Sequence, residues 1–144
     1  MKEKIIAPCG IDCFNCELYE ENVTPVFQEH ISKAYNIPKE MIHCKGCANG
    51  NQCLFIDLKG EKCKTLECIN QKQHKYCFEC DTFPCSYLMP LADRAGQFPH
   101  NLKIYNLCLM KRIGVEAWTK EAADIRHTYF KKNIVIGEGG SKGN

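Results

Sequence analysis

Three pairs of cysteines stand with two residues between them, Cys13 with Cys16, Cys44 with Cys47 and Cys77 with Cys80, and that gap lets one metal ion take both thiolates of a pair. Each C-x-x-C turn points its sulfurs at a centre about 2.3 Å away, and two such turns complete the tetrahedral shell that zinc prefers. A chain of 144 residues with twelve cysteines calls for a reason to keep so many thiols, and metal is the commonest one. The rival is a disulfide framework of the kind found in small secreted scaffolds. That framework needs export, yet Met1-Lys2-Glu3-Lys4-Ile5-Ile6-Ala7-Pro8 alternates charges and ends its apolar stretch at a proline, short of a signal-peptide core. No membrane-spanning run follows. The expectation is a cytoplasmic protein whose thiols stay reduced and bind metal.

The thiols sort by position into two groups. Cys9, Cys13, Cys16, Cys44 and Cys47 offer five candidates for four places, as do Cys63, Cys68, Cys77, Cys80 and Cys85. Two four-thiolate sites therefore fit, with spares. Cys44-Lys45-Gly46-Cys47 is the most zinc-like element: its glycine permits the positive φ of a tight metal-binding turn, and its amides can donate to the sulfurs. Cys13-Phe14-Asn15-Cys16 and Cys77-Phe78-Glu79-Cys80 carry an aromatic after the first cysteine instead, which could cover a site against water. Cys108, between Leu107 and Leu109, reads as a small buried hydrophobe. Cys53 is open to either role. His43 and His74 lie close enough to Cys44 and Cys77 to replace a thiolate, although exposure is the commoner fate of such loop histidines, and His30, His100 and His127 read as surface residues.

Other chemistries of thiol clusters fit less well. Cys9, Cys13 and Cys16 have the C-x3-C-x2-C spacing of radical S-adenosylmethionine enzymes, but those need most of a (β/α) barrel, for which the chain is too short. A closed iron–sulfur cluster also takes thiolates, yet the ferredoxin run C-x2-C-x2-C-x3-C-P is absent, and Pro84 precedes Cys85 rather than following it. A dithiol redox pair needs a thioredoxin-like βαβ context that the pattern lacks. No Ser/His/Asp arrangement, H-E-x-x-H or phosphate-cradling loop appears, and Asp12 reads as a turn cap. The leading reading is a binding or adaptor module with structural zinc and a protein partner. An iron–sulfur protein for electron transfer or redox sensing is the alternative, and an open three-ligand site in a metal-dependent enzyme or metal-handling protein is a third.

The formal charge of +2 argues against a strongly electrostatic partner. Lys59, Lys62, Lys64, Lys72 and Lys75 thicken the middle segment, but Asp57, Glu61 and Glu67 dilute them, and a solvated loop is favoured over a nucleic-acid footprint. Between Cys44 and Cys85 the large hydrophobes are too scattered for a sustained helical or strand period. Such a stretch buries too little to offset backbone ordering at about 1–2 kcal/mol per residue, so metal must hold it. Around it a helix is predicted over residues 25–35, capped by Thr24 with Pro25 at the first position, and a short helix opened by Pro84 and running through Tyr87 and Leu88. At the C-terminal side Leu102, Tyr105, Leu109 and Ile113 mark one helix over 101–113, and Val115, Trp118, Ala122, Ile125 and Tyr129 mark another over 115–131, with Gly114 as a left-handed cap between them. Residues 134–136 form a short strand or a packed tail. The expected architecture is one metal-stabilised, mainly α domain over residues 1–136: an irregular cysteine-rich zinc-knuckle region at 8–90, flanked by helices, and a C-terminal helical hairpin at 91–136. Residues 137–144 should be disordered.

The ordered combination of Cys9-Gly10-Ile11-Asp12-Cys13-Phe14-Asn15-Cys16, Tyr19, Cys44-Lys45-Gly46-Cys47, Cys63 with Cys68, and Cys77-Phe78-Glu79-Cys80-Asp81-Thr82-Phe83-Pro84-Cys85 resembles the cysteine-rich prokaryotic family catalogued as domain of unknown function 3795. His100-Asn101-Leu102 and Gly114-Val115-Glu116-Ala117-Trp118 extend the resemblance over about residues 8–120. It implies metal binding and no established activity. Cys53 and Cys108 stand outside the family pattern, and the tail beyond about residue 131 is peculiar to this chain.

Overall fold

Two compact units emerge in the computed structural model, which describes residues 2–131, 134–137 and 139–140. The first takes the residues up to Pro8 together with Asp12–Lys75; the second takes Cys9–Ile11 and the described residues from Tyr76 onward.

In the first unit, Thr24 is extended and its Oγ1 accepts from the Phe27 amide at 3.2 Å, which starts helix α1, Pro25–Tyr35. Asn36, at φ 53°, ends it. Both ends fall where the cap signals predict. Ile31 of α1 is buried with Leu18, Ile42 and Leu54, and Phe27, Ile37, Phe55 and Leu58 pack around these four. Leu54 opens the short helix α2, Leu54–Leu58, and a longer one, α3, spans Lys64–Lys72. The expectation of an irregular segment between Cys44 and Cys85 is thus corrected: it contains two helices. Each buries a single residue, Leu54 in α2 and Ile69 in α3, so neither writes the repeating apolar stripe by which a helix is recognised. Gln52 closes the loop between them: its Nε2 donates to the Glu61 carbonyl at 2.8 Å, and its Oε1 accepts from the Cys63 amide at 2.9 Å.

The second unit is built on α4, Leu102–Ile113, and α5, Val115–Lys131, which pack on each other as a hairpin. Gly114 has the positive φ that glycine allows, 89°, but its ψ of 151° is extended rather than left-handed helical. Its amide donates to the Met110 carbonyl, and its own carbonyl accepts from the Trp118 amide, so one residue separates the helices. Leu102 and Leu109 of the expected stripe are buried, but they are joined by Asn106, Leu107 and Met110, while Tyr105 is 57% exposed. Cys108, expected as a buried hydrophobe, is exposed. The reason lies in what surrounds α4: besides α5 it meets the turns Cys77–Glu79 and Pro99–Asn101, so its covered surface is wide and centred on Asn106 and Met110, opposite Cys108. Against it α5 buries Trp118, Ala122 and Arg126.

Asn106 earns its place in this core by hydrogen bonding. The Trp118 indole donates to Asn106 Oδ1 at 3.3 Å, and Asn106 Nδ2 donates to the Gly10 carbonyl at 2.7 Å. Gly10 itself, at φ +89°, sits so close to α4 that a Cβ would lie 2.9 Å from Leu107 Cγ and from the Lys103 carbonyl. Cys9–Ile11 is therefore fastened to α4. His100 is half-buried rather than a surface residue, its Nδ1 is enclosed with no hydrogen-bond partner, and burial pushes its imidazole down to about 4. Beyond α5, Ile134–Val135 pairs antiparallel with Gly139–Gly140. Gly137, at φ 89°, lies between these strands and supplies a turn conformation; of the tail expected to be disordered, residues 138 and 141–144 lie outside the described residues.

Candidate metal centre

None of the twelve cysteines is held in a disulfide. In the first unit several are drawn together by local backbone geometry. The residues Cys13–Asn15 form a single 3₁₀ turn, closed by the Cys16 amide donating to the Cys13 carbonyl at 3.0 Å. Asn22 staples this turn from outside, its Nδ2 donating to the carbonyls of Phe14 and Cys16 at 2.8 and 2.9 Å. Asp12, 1% exposed, accepts from the Asn15 side chain at 3.0 Å, so it braces the turn through a side chain and makes no side-chain cap bond to the backbone. A parallel bridge then joins Tyr19 to Cys44: the Cys44 amide donates to the Leu18 carbonyl at 2.8 Å, and its carbonyl accepts from Glu20 at 2.9 Å. That bridge sets the Cys44-Lys45-Gly46-Cys47 knuckle beside the Cys13 turn.

Gly46 shows how close the two come. It has the predicted positive φ, +82°, and a Cβ there would stand 2.5 Å from Ile5 Cγ2 and 3.4 Å from Cys13 Cβ. Gly46→Ala is expected to combine backbone strain with overpacking and to cost about 2–4 kcal/mol, forcing the knuckle off Cys13. Denaturant unfolding checks the loss, and the metal content per chain checks the displacement.

The fourth member is Cys53. Ala48-Asn49-Gly50-Asn51 folds as a tight turn, with Asn49 at φ 52°, Gly50 at φ 82° and the Asn51 amide donating to the Ala48 carbonyl at 3.0 Å, and this returns the chain so that Cys53 meets Cys47. The Cys47 thiol shares hydrogen bonds with both Cys13 and Cys53. Those bonds push Cys47 far up, pull Cys13 down, and bring Cys53 down to about 6. Burial pushes Cys44 up. Backbone amides serve the sulfurs as well: Cys47 donates to Cys13, Gly46 and Leu54 donate to Cys44, and Phe55 and Ile56 donate to Cys53. Amides aimed at sulfur offset the charge that accumulates when thiols ionise together. Among the described residues no three His, Cys, Asp or Glu side chains meet the geometry of a formed metal cluster; the thiols stand as a chain of contacts running through Cys47.

The remaining candidates are placed as follows. Cys16 packs against the apolar cluster of the first unit. Cys63 precedes α3 and Cys68 lies within it, both half-buried. In the second unit Cys77 is buried and opens a 3₁₀ turn with the same closure as that of Cys13, the Cys80 amide donating to the Cys77 carbonyl at 3.2 Å. Cys80 Sγ lies 3.2 Å from Thr82 Oγ1, and Cys85 is exposed. Cys9, Cys16, Cys77 and Cys80 all engage further partners. His43 is exposed, as expected, while His74 is half-buried. Of the residues outside the predicted set, Cys53 is the one that joins the cluster; its signal was the Asn-Gly turn before it, which reverses the chain at the distance needed.

Fold and thiols together define a mainly helical, cysteine-rich protein with a largely half-buried thiol cluster in its first unit. Comparison with family models gives the lineage: the chain belongs to the family described as Protein of unknown function (DUF3795), whose model matches residues 5–90. No curated protein and no solved structure matches the chain. Among the described residues no helix is long and apolar enough to cross a membrane.

Proposed function

We propose that Cys13, Cys44, Cys47 and Cys53 hold one zinc ion in a closed structural site, and that the protein acts as a binding or adaptor module for a protein partner. The observation that carries this reading is the contact of the Cys47 thiol with both Cys13 and Cys53. Sulfurs bound to one tetrahedral ion at about 2.3 Å lie about 3.8 Å from each other, a separation at which thiols touch. Thiolates of a four-iron cube sit on separate irons and stand farther apart, so the spacing favours a single ion. The donors are soft thiols supported by five backbone amides, which suits zinc. Four thiolates leave no coordination position for a substrate, and the role assigned is therefore structural.

A second ion is assigned to the second unit, on Cys77 and Cys80 with Cys9. Two observations support it: the Cys77 turn repeats the closure of the Cys13 turn, and both that turn and Cys9–Ile11 pack on α4. Elemental analysis and absorbance of anaerobically purified protein test both assignments. A colourless protein with two zinc ions per chain is the expected result, one ion would remove the second assignment, and a brown protein with iron and sulfide would overturn the reading.

A further inference from the structure

Within the thiol cluster the contacts cross between sequence motifs. Cys47 is hydrogen-bonded to Cys13 and to Cys53, whereas spacing alone would pair it with Cys44. The two neighbours differ in access: Cys13 is 7% exposed, while Cys53 and Cys47 are both half-buried. Cys53 also receives the amides of Phe55 and Ile56, which fix the position of its sulfur beside Cys47. The tight turn at residues 48–51 keeps Cys47 and Cys53 together.

We infer that this site is a peroxide-sensitive switch in which Cys53 and Cys47 are oxidised to a disulfide and the ion is released. The Cys53 thiolate attacks the O–O bond of hydrogen peroxide and takes one hydroxyl as a sulfenic acid, while the other oxygen leaves as hydroxide and is protonated to water. The Cys47 sulfur then attacks the Cys53 sulfur, forming the S–S bond and expelling the second oxygen as hydroxide, which takes a proton from solvent and leaves as water. Two sulfurs lose two electrons in all, and one peroxide becomes two waters. Cys13 and Cys44 then remain as the only thiolates of the four, too few to close a tetrahedral site.

The release of zinc rests on the four-thiolate reading above; the bridge itself does not. The full chain, with its zinc content measured beforehand, is treated with hydrogen peroxide while released metal is followed with a chromogenic chelator. Free thiols are then alkylated and the cross-links mapped by peptide mass spectrometry. The expected result is one equivalent of zinc released together with a Cys47 to Cys53 bridge, both reversed by dithiothreitol and added zinc. A bridge between Cys44 and Cys47 or between Cys13 and Cys47, or oxidation of Cys53 beyond the sulfenic stage without a bridge, overturns the inference. A chain that carries no zinc as isolated refutes the metal reading instead, and the mapping of its bridge still decides the oxidation.

Discussion

Replacing Cys47 with serine is expected to abolish binding of the proposed zinc ion in the first unit and to leave residues 44–75 without protection in hydrogen exchange, while α4 and α5 keep theirs. The magnitude follows from what else holds that unit. Four aliphatic side chains, Leu18, Ile31, Ile42 and Leu54, are buried at its centre, and burying four such residues supplies roughly 6–12 kcal/mol. A structural zinc contributes about 10–16 kcal/mol of apparent binding energy, which becomes folding energy. Net stabilities of domains are only about 5–15 kcal/mol, so removal of the metal outweighs the margin. Cys47 is the most damaging choice because its sulfur touches both Cys13 and Cys53. Cys108→Ser is the control: the residue is exposed, and surface changes of this kind stay within about 0.5 kcal/mol. Zinc stoichiometry and exchange rates measured on both variants check the contrast, and equal, mild behaviour would remove Cys47 from the site.

Trp118→Ala should be the most destabilising single change in the second unit, by about 3–5 kcal/mol. Trp118 is fully buried, 0% exposed, among the side chains between α4 and α5. Truncation leaves a cavity where the indole packs, and it also withdraws the donor that orients Asn106. Asn106 in turn holds the Gly10 carbonyl, so the loss propagates to the segment carrying Cys9. Trp118→Phe keeps most of the volume and removes only that donor, for which a loss of about 1–2 kcal/mol is expected. Denaturant midpoints of the two variants separate packing from hydrogen bonding. A Phe variant as unstable as the Ala variant would mean that the indole N–H, not the ring, carries the residue.

Helix α1 and the two arms of the hairpin were legible because their signals are local. Thr24-Pro25 and Asn36 cap a single run, and Gly114 separates two apolar patterns. What failed was the angular position of the buried face on α4. Tyr105 and Cys108 look apolar in the sequence and are exposed, whereas the amide Asn106 is buried. A polar side chain can occupy a core only if its hydrogen bonds are met, and the partners that meet them, Gly10 and Trp118, come from distant parts of the chain. Helices α2 and α3 were missed for a related reason: each contributes one buried residue, and one residue has no period.

By itself, then, the amino-acid sequence determined that the chain is rich in closely spaced thiols, that its C-terminal part is a helical hairpin, and that glycine at position 46 allows the knuckle its positive φ. Those features depend on neighbours a few residues apart, where backbone geometry alone governs the outcome. Only the tertiary structure decided which thiols meet. Cys53 reaches Cys47 because the turn at Asn49 and Gly50 reverses the chain, and Cys13 reaches it because the bridge between Tyr19 and Cys44 aligns two distant segments. Cys16 shares the short spacing of the Cys13 turn, and both it and Cys44 pack against the apolar cluster. Two thiols separated by two residues can share an ion, but the direction in which each points is set by what the turn packs against.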